Sequence, residues 1–304
     1  MNTPKVRFGA LLEPDDERPQ DVVELAELMD ELGYDVVSLS DHPYWPERLD
    51  TVALLAAIVA RTTRITIMPN LLNLPLRPPA VLARTAATLD ILSGGRFELG
   101  LGAGAQQLWQ LIAAEGGPVR TAGESIEALE EAVHLIRALW TSKSEVQFEG
   151  KHYRADGVRP GPCPAHPIGI WLGAYQPRML RVVGTLGDGW VPSSPFLPPE
   201  ALPDCNRLID EAAVAAGRSP QSVRRGYNIE GEFSTGSGFL QGPPKVWAEQ
   251  LAELITTRQV DTFFLYRAKT ADFLRRFAAE VAPAVRELVA TDSRVSPSGY
   301  GSPV

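Results

Sequence analysis

The amino-acid sequence predicts an α/β fold, a closed (β/α)8 or TIM barrel with parallel strands inside and helices outside. Short β-branched runs alternate with longer stretches of helical period, which is the pattern of βαβ units. The chain has 304 residues, of which 44% are hydrophobic, and this length suits one such barrel. An open, doubly wound sheet is the alternative that the same alternation permits.

The strands of the barrel are predicted from eight short runs that recur along the chain. They lie near Val6–Leu11, Val36–Ser40, Ile65–Pro69, Phe97–Leu101, Ile168–Leu172, Gly189–Val191, Arg225–Ile229 and Thr262–Tyr266. Because eight repeats of strand and helix close one barrel, we expect a single domain over residues 1–290. The remainder, 291–304, is rich in Ser, Pro and Gly, and we expect it to be a disordered tail.

The helices are predicted from apolar residues spaced three and four apart, as in Val22, Leu25, Met29 and Leu32. Prolines stand near the predicted helix starts, where a missing N–H costs nothing; they are Pro19, Pro78, Pro177, Pro199 and Pro243. Two segments exceed the minimal repeat: Gln106–Glu124 after the fourth strand and Ser144–Pro167 before the fifth. Such insertions usually build or cover the site in this fold.

The composition argues against several functional classes. The net charge of −8 comes from interspersed acidic and basic residues, so we expect no nucleic-acid partner. No stretch approaches the roughly 18 consecutive apolar residues of a membrane span, and the N-terminus lacks a signal-peptide core. Cys163 and Cys205 form no CxxC pair, so neither a disulfide framework nor a zinc site is indicated. We therefore expect a cytoplasmic location.

The second strand leads into a cluster of chemically active side chains, Ser40-Asp41-His42-Pro43-Tyr44-Trp45. Catalytic groups in a barrel come from strand ends at one face. Asp41 can fix the tautomer of His42 while the imidazole moves a proton, and the aromatic rings can wall a planar ligand. The alternative is a helix-capping Asp beside a surface His.

Two further strand ends carry amides and glycines. After the third strand, Asn70 and Asn73 can hydrogen-bond the edge of a ring, although such residues also close turns. After the fourth strand, Gly102-Ala103-Gly104 allows close backbone approach and offers N–H groups for a phosphate. These glycines can equally relieve crowding at a corner.

The fifth strand ends in Leu172-Gly173-Ala174-Tyr175, just before a helix predicted near Pro177. A phosphate can bind at the N-terminus of that helix, or the small residues can simply turn a corner. The sequence has no HExxH or comparable metal spacing, so we expect no metal. It also lacks the GxSxG elbow of serine hydrolases.

Several longer segments resemble the luciferase-like monooxygenase superfamily over about residues 5–290. They are FGALLEP, GYDVVSLSDHPY, RITIMPNLLNLPLRPPAVLARTAATLDILSGGRFELGLGAG, GESIEALEEAVHLIRALW, GKHYRADGVRPGPCPAHPIGIWLGAY and PRMLRVVGTLGDGWVPS. The blocks LSGGRFELGLGAG and IWLGAY…DGW are specific to that superfamily. The DH pair after the second strand is similar to its deazaflavin (coenzyme F420) branch.

The resemblance implies where a cofactor would bind. His42 would lie near the centre of the isoalloxazine-like ring, oriented by Asp41, and the backbone of Met68, Pro69, Asn70 and Leu71 would form a kinked, cis-peptide bulge behind it. Gly102, Ala103 and Gly104 would approach the ribityl-phosphate side, with Leu172, Gly173, Ala174 and Tyr175 at the phosphate end. The sequence departs from the family where Gln106 and Gln107 replace an acidic residue.

The leading functional hypothesis is hydride transfer between coenzyme F420 and an unidentified small organic substrate. A luciferase-like monooxygenase that receives reduced FMN from a separate reductase is the close alternative. A barrel lyase or isomerase acting on a sugar phosphate would need a catalytic Lys or Glu that the motifs do not supply. An inactive flavin-binding protein is the remaining alternative. The resemblance also implies a homodimer formed through outer helices.

Overall fold

The computed structural model describes residues 6–15, 17, 19–267 and 270–292. Its strands are β1 (Arg7–Leu12), β2 (Val36–Leu39), β3 (Thr66–Pro69), β4 (Leu72–Asn73), β5 (Leu99–Gly102), β6 (Val146–Glu149), β7 (Arg154–Val158), β8 (Ile170–Leu172), β9 (Gly189–Trp190), β10 (Arg224–Ile229), β11 (Glu232–Phe233), β12 (Gln241–Gly242) and β13 (Thr262–Tyr266). Each of the eight runs predicted as strands overlaps one of these.

The helices lie between the strands, as the alternation predicted. They are α1 (Pro19–Leu32), α2 (Thr51–Arg61), α3 (Pro79–Ser93), α4 (Trp109–Ala114), α5 (Ala122–Thr141), α6 (Pro177–Leu186), α7 (Leu202–Ala215), α8 (Pro244–Arg258), α9 (Ala271–Arg276) and α10 (Ala282–Thr291). A π-helical turn at Phe277–Val281 joins α9 to α10. Most of the expected tail, residues 293–304, lies outside the described residues.

The parallel strands form a barrel in the order β3-β2-β1-β13-β10-β9-β8-β5-β4. β3 and β4 are two halves of one interrupted strand: β3 pairs with β2, whereas β4 pairs with β5. A parallel bridge between Ile67 and Phe97 adds a contact across this seam. The chain is therefore a (β/α)8 barrel, as the sequence predicted.

The inside of the barrel is filled rather than hollow. Trp171, Met68 and Phe264 belong to a buried apolar cluster that is separate from the larger core shared with the helices. Trp171 fits because Gly189 and Gly226 stand beside it, where a Cβ atom would lie within 3 Å of the indole. Its indole nitrogen donates to Glu98 at 2.9 Å. Functional sites of this fold lie above such packing, at the carboxyl ends of the strands.

The two predicted insertions have their own short elements. Gln106–Glu124 includes α4 and ends in the first turn of α5, where Thr121 and Glu124 form a capping box. Ser144–Pro167 contains the β6–β7 hairpin. His166 fastens the end of this segment to α3, because its Nδ1 lies 2.6 Å from buried Asp90. Across the described residues, no helix is both long and apolar enough to cross a bilayer.

Candidate active site

A cleft of about 580 Å³, counting its open side, lies at the mouth of the barrel where the parallel strands end. The cleft is lined by residues from seven strand ends: Leu11, Glu13, Ser40, His42, Asn70, Leu71, Gly173, Tyr175, Val191, Ser193, Phe196, Asn228 and Tyr266. Of the residues predicted for the site, it brings together His42, Asn70, Leu71, Gly173 and Tyr175.

His42 lies three residues beyond the end of β2 and lines this cleft. Its Nδ1 is 2.8 Å from the hydroxyl oxygen of Tyr44, and its ring lies against Trp45 with 4.3 Å between the ring centroids. Burial lowers the pKa of His42 below its ordinary value, and the nearby charges of Glu13 and Asp41 oppose this shift. The imidazole is therefore neutral near pH 7 and is held through one ring nitrogen.

Tyr44, the partner of His42 in this contact, is buried. Burial, assisted by the charge of Asp41, raises the pKa of its phenol to about 12, so the hydroxyl keeps its proton. Asn73 lies beside the same hydroxyl and lowers that pKa by hydrogen bonding. Its buried Oδ1 accepts no bond of regular geometry from the part of the chain that the structure describes. The Tyr44 hydroxyl is therefore bonded to Nδ1 of His42 and keeps its own proton.

Asp41 plays a different part from the one expected. Its carboxylate accepts a hydrogen bond from the backbone N–H of Asn73 at 2.8 Å and one from Arg77 at 2.7 Å. The ring of His42 is oriented by Tyr44 instead, and Asp41 acts on the imidazole through its charge. The expectation that Asp41 orients His42 is corrected accordingly: Asp41 ties the chain after β4 to the end of β2.

The chain between β3 and β4 crosses the cleft with a cis peptide bond between Asn70 and Leu71. This is the position at which the resemblance implied a kink. The side-chain amide of Asn70 donates to Oδ1 of Asn228 at 2.8 Å, and the amide of Asn228 donates to Ser193 at 3.0 Å. The amide of Asn70 is therefore fixed by a partner on β10 rather than used to close a turn.

The other residues predicted to bind the cofactor lie near the cleft but do not line it. Met68 is buried in the barrel interior next to Pro69, and Leu172 and Ala174 are also buried. The Gly102-Ala103-Gly104 turn lies behind Leu71 and does not line the cleft. A Cβ atom on Gly102 would make ordinary contacts at 3.6 Å or more, whereas one on Gly173 would lie 2.6 Å from Cδ1 of Leu71.

The segment after β8 leads from the cleft into α6. The hydroxyl of Tyr175 accepts a bond from the backbone N–H of Ser193 at 3.2 Å. Burial raises the pKa of Tyr175. Gln176 precedes α6 without a side-chain hydrogen bond to its first turn. The N-terminus of this helix therefore offers its positive end next to Gly173 and Tyr175.

Several lining residues carry functional groups that the motif analysis missed. Glu13 accepts a bond from Ser40 at 2.9 Å and forms an ion pair with Arg48 at 2.9 Å. Ser193, Asn228 and Tyr266 contribute further polar groups to the cleft. Each lies at or just beyond a strand that the sequence analysis had located. His42 was selected because it stands just beyond a strand end, and the same criterion applied to every strand would have found these residues.

Within the described residues, no three His, Cys, Asp or Glu side chains converge in a way that could hold a metal ion. The remaining described histidines lie elsewhere. His134 is exposed on α5. His152 pairs with Glu127 at the hairpin, and His166 pairs with Asp90. His42 is therefore the histidine that faces the cleft.

Comparison with known proteins gives one family match and many relatives. A model of the luciferase-like monooxygenase family matches residues 3–230. F420-dependent glucose-6-phosphate dehydrogenase of Nakamurella multipartita is 30% identical over 255 residues, which are 82% of this chain and 74% of the relative.

Solved structures show the same architecture. An F420-dependent secondary alcohol dehydrogenase, in complex with an F420-acetone adduct, matches with a TM-score of 0.79 at 21% identity and covers 93% of this chain and 99% of that one. The oxygenating constituent of 3,6-diketocamphane monooxygenase from Pseudomonas putida, in complex with FMN, matches with a TM-score of 0.75 at 19% identity. The match covers 92% of this chain and 98% of that one. At these identities the two structures establish the shared fold alone.

Proposed function

Because the chain belongs to the luciferase-like monooxygenase family, we propose that it is an oxidoreductase that transfers a hydride between coenzyme F420 and a small organic substrate. The observation that carries the proposal is His42, which is neutral, held at Nδ1 by Tyr44 and exposed to the barrel cleft. A similar curated protein is an F420-dependent dehydrogenase, which favours the deazaflavin over FMN.

The residues around the cleft fit such a cofactor. We propose that its ring lies against Leu71, with the Asn70–Leu71 peptide and the buried Met68 and Pro69 behind it. Because Gly173 has no side chain, its backbone is accessible beside Leu71. The N-terminus of α6, which no side chain caps, follows two residues after Tyr175. A phosphate group is stabilised at such a helix end by free N–H groups and the helix dipole. The glycine turn at Gly102–Gly104 supports the wall behind Leu71.

When bound, the deazaflavin supplies a position that accepts or releases a hydride, that is, two electrons and one proton. The protein then has to manage the proton on the substrate oxygen. As an alcohol is oxidised to a ketone, its carbon loses the hydride and its hydroxyl proton passes to Nε2 of His42. In the reverse direction Nε2 returns the proton to the oxygen. Glu13 lines the same cleft and partly offsets the effect of burial on this imidazole.

Two further features belong to this proposal. A cytoplasmic location suits a chain whose Cys163 and Cys205 are both free thiols.

A homodimer through outer helices is supported by Val81 and Leu92 on α3, which are 61% and 67% exposed. Sedimentation of the protein before and after Leu92→Asp tests the second feature, since a charge in the interface would give the monomer.

The test of the proposed function is a cofactor titration. The purified protein is titrated in parallel with F420 and with FMN, and binding is followed by the fluorescence of each chromophore. We expect saturable binding of F420 with at least about tenfold higher affinity than FMN, a difference of about 1.4 kcal/mol. Tighter binding of FMN, together with oxygen uptake when a flavin reductase is added, would instead establish the monooxygenase.

A further inference from the structure

We infer that the substrate of this cleft is an uncharged molecule with an aromatic or alicyclic body that carries one hydroxyl or carbonyl group, and not a sugar phosphate. The inference rests on the proposed function, because it assumes that the cleft is where the substrate meets the cofactor. It departs from the similar curated relative, which is a dehydrogenase of glucose 6-phosphate.

The first argument concerns the positive charges around the mouth of the barrel. Among the described residues that line the cleft there is no lysine or arginine. Three arginines that follow β2, β4 and β13 already face carboxylates: Arg48 pairs with Glu13 at 2.9 Å, Arg77 with Asp41 at 2.7 Å, and Arg267 with Glu230 at 2.9 Å. A phosphate monoester would have to compete with these carboxylates for every one of them.

The second argument concerns negative charge. Glu13 belongs both to the cleft and to an adjoining groove, which is also lined by Asp15, Glu17 and Asp21. A phosphate monoester carries roughly two negative charges at neutral pH. Proteins bind such a group with unpaired arginine, lysine or a helix N-terminus, and like charges near the site oppose it. The helix N-terminus that follows Tyr175, that of α6, lies on the side proposed for the cofactor phosphate.

The third argument is the apolar rim. Phe196 is 73% exposed and Tyr175 is 40% exposed, and their rings meet edge to face with 6.2 Å between the centroids. Both line the cleft together with Leu11, Leu71 and Val191. A large aromatic side chain left in water gains free energy when a ligand covers it. The side of the cleft away from His42 is therefore suited to the apolar body of a substrate.

The fourth argument is that several polar groups of the cleft are already hydrogen-bonded to one another. Asn70 and Asn228 are bonded to each other, Ser40 donates to Glu13, and the backbone of Ser193 donates to Tyr175. A polyhydroxylated sugar needs many free donors and acceptors, because each buried hydroxyl that lacks a partner is costly. Nε2 of His42 is the acid–base group that faces the cleft for the hydroxyl or carbonyl oxygen of the substrate.

The experiment compares two probes and two variants. Acetophenone represents the uncharged aromatic ketone, and glucose 6-phosphate represents the sugar phosphate. Binding of each is measured by ligand-observed NMR on the intact protein, both without cofactor and with saturating F420. Phe196→Ser removes the aromatic rim, Phe196→Tyr retains it, and Val214→Ser is the control, since Val214 is similarly exposed on the outer helix α7.

We expect saturable binding of acetophenone that Phe196→Ser weakens about fivefold or more, as for loss of an aromatic anchor. Phe196→Tyr and Val214→Ser should bind it like the original protein, and glucose 6-phosphate should show no saturable binding. The inference is overturned if glucose 6-phosphate binds saturably, or if acetophenone binding is absent or indifferent to Phe196→Ser under both conditions.

These results are separable from those of the cofactor titration. A protein that binds F420 and also binds glucose 6-phosphate refutes the substrate class while the proposed function stands. A protein that binds acetophenone through Phe196 but fails to bind F420 refutes the proposed function and supports the uncharged ligand class for the cleft.

Discussion

Nδ1 of His42 and the hydroxyl oxygen of Tyr44 lie 2.8 Å apart, and this contact couples the tautomer of the imidazole to the direction of the hydrogen bond. When the Tyr44 hydroxyl donates to Nδ1, the neutral ring holds its proton on Nε2 and can give it to a substrate oxygen. When the proton is instead on Nδ1, that nitrogen donates to the Tyr44 oxygen and Nε2 can accept a proton. The two tautomers thus suit the two directions of the proposed reaction.

Tyr44→Phe should remove this control of the tautomer. We expect the 15N shifts of His42 in the cofactor-free protein to report a mixture of tautomers, and turnover to fall by roughly tenfold while cofactor affinity is kept, since lost positioning of a proton-transfer group costs part of its 10²–10⁴-fold contribution. Tyr153→Phe is the control, because the hydroxyl of Tyr153 lies at the hairpin, where it accepts a bond from Arg120. Unchanged 15N shifts in Tyr44→Phe would contradict the proposed role.

His42→Asn should lower kcat by about 10²–10⁴-fold and leave the dissociation constant of F420 nearly unchanged. Asparagine keeps a polar side chain but cannot titrate. His152→Asn, a change in the hairpin far from the cleft, should retain turnover. Full turnover of His42→Asn with a good substrate would show that another group moves the proton.

The pH dependence follows from the lowered pKa of His42. Alcohol oxidation needs the neutral imidazole, which is the form present above its pKa. Because burial lowers that pKa below its ordinary 6.5, kcat/KM should stay level as the pH falls from 8 to about 6.5 and should decline only at lower pH. A decline that begins above pH 7 would mean that the pKa is raised and that Glu13 outweighs burial.

Gly173→Ala and Gly102→Ala should differ, although the sequence alone treated both glycines as cofactor contacts. The new methyl group at 173 would lie 2.6 Å from Cδ1 of Leu71 and would push that side chain into the cleft, whereas at 102 the nearest atoms are 3.6 Å away or farther. We expect Gly173→Ala to weaken F420 binding by about tenfold and Gly102→Ala to leave it within about twofold. Fluorescence titration of both variants measures the difference, and equal effects would place the cofactor elsewhere.

Asp41→Asn should destabilise the fold. The side chain of Asp41 is 1% exposed and that of Arg77 19%, so removing the carboxylate charge leaves a largely buried guanidinium. Urea denaturation should show a loss of about 2–4 kcal/mol in the free energy of unfolding, slightly less than for a fully buried pair. Asp50→Asn, at a carboxylate 50% exposed that also faces Arg77, should cost under about 1 kcal/mol. A similar loss in both variants would contradict the structural role of Asp41.

The barrel could be predicted because its strands are buried runs whose composition differs from that of the helices around them. Which side chains share the cleft was harder to predict. Asp41 and His42 are neighbours in the sequence, but successive side chains beyond a strand tend to point to opposite sides. One therefore reaches Arg77 and the other reaches the cleft.

Asn228 shows a second reason why the residues of the cleft could not be predicted from the sequence. It is a single amide within a predicted strand and has no motif around it, and its partner Asn70 is 158 residues away. Only the closure of the barrel brings β10 opposite the break between β3 and β4. Phe196 was likewise indistinguishable from a core residue until its exposure was known.

Trp171, wedged between Gly189 and Gly226 and bonded to Glu98, closes the barrel below the cleft. We therefore expect the proposed cofactor and substrate to enter and leave through the mouth of the cleft. Whichever molecule lies deeper has to arrive first and depart last, so the steady-state kinetics of this protein should follow a compulsory order. If the ring lies against Leu71 and the substrate at the rim formed by Phe196, as proposed, we expect the oxidised substrate to be released before the reduced cofactor.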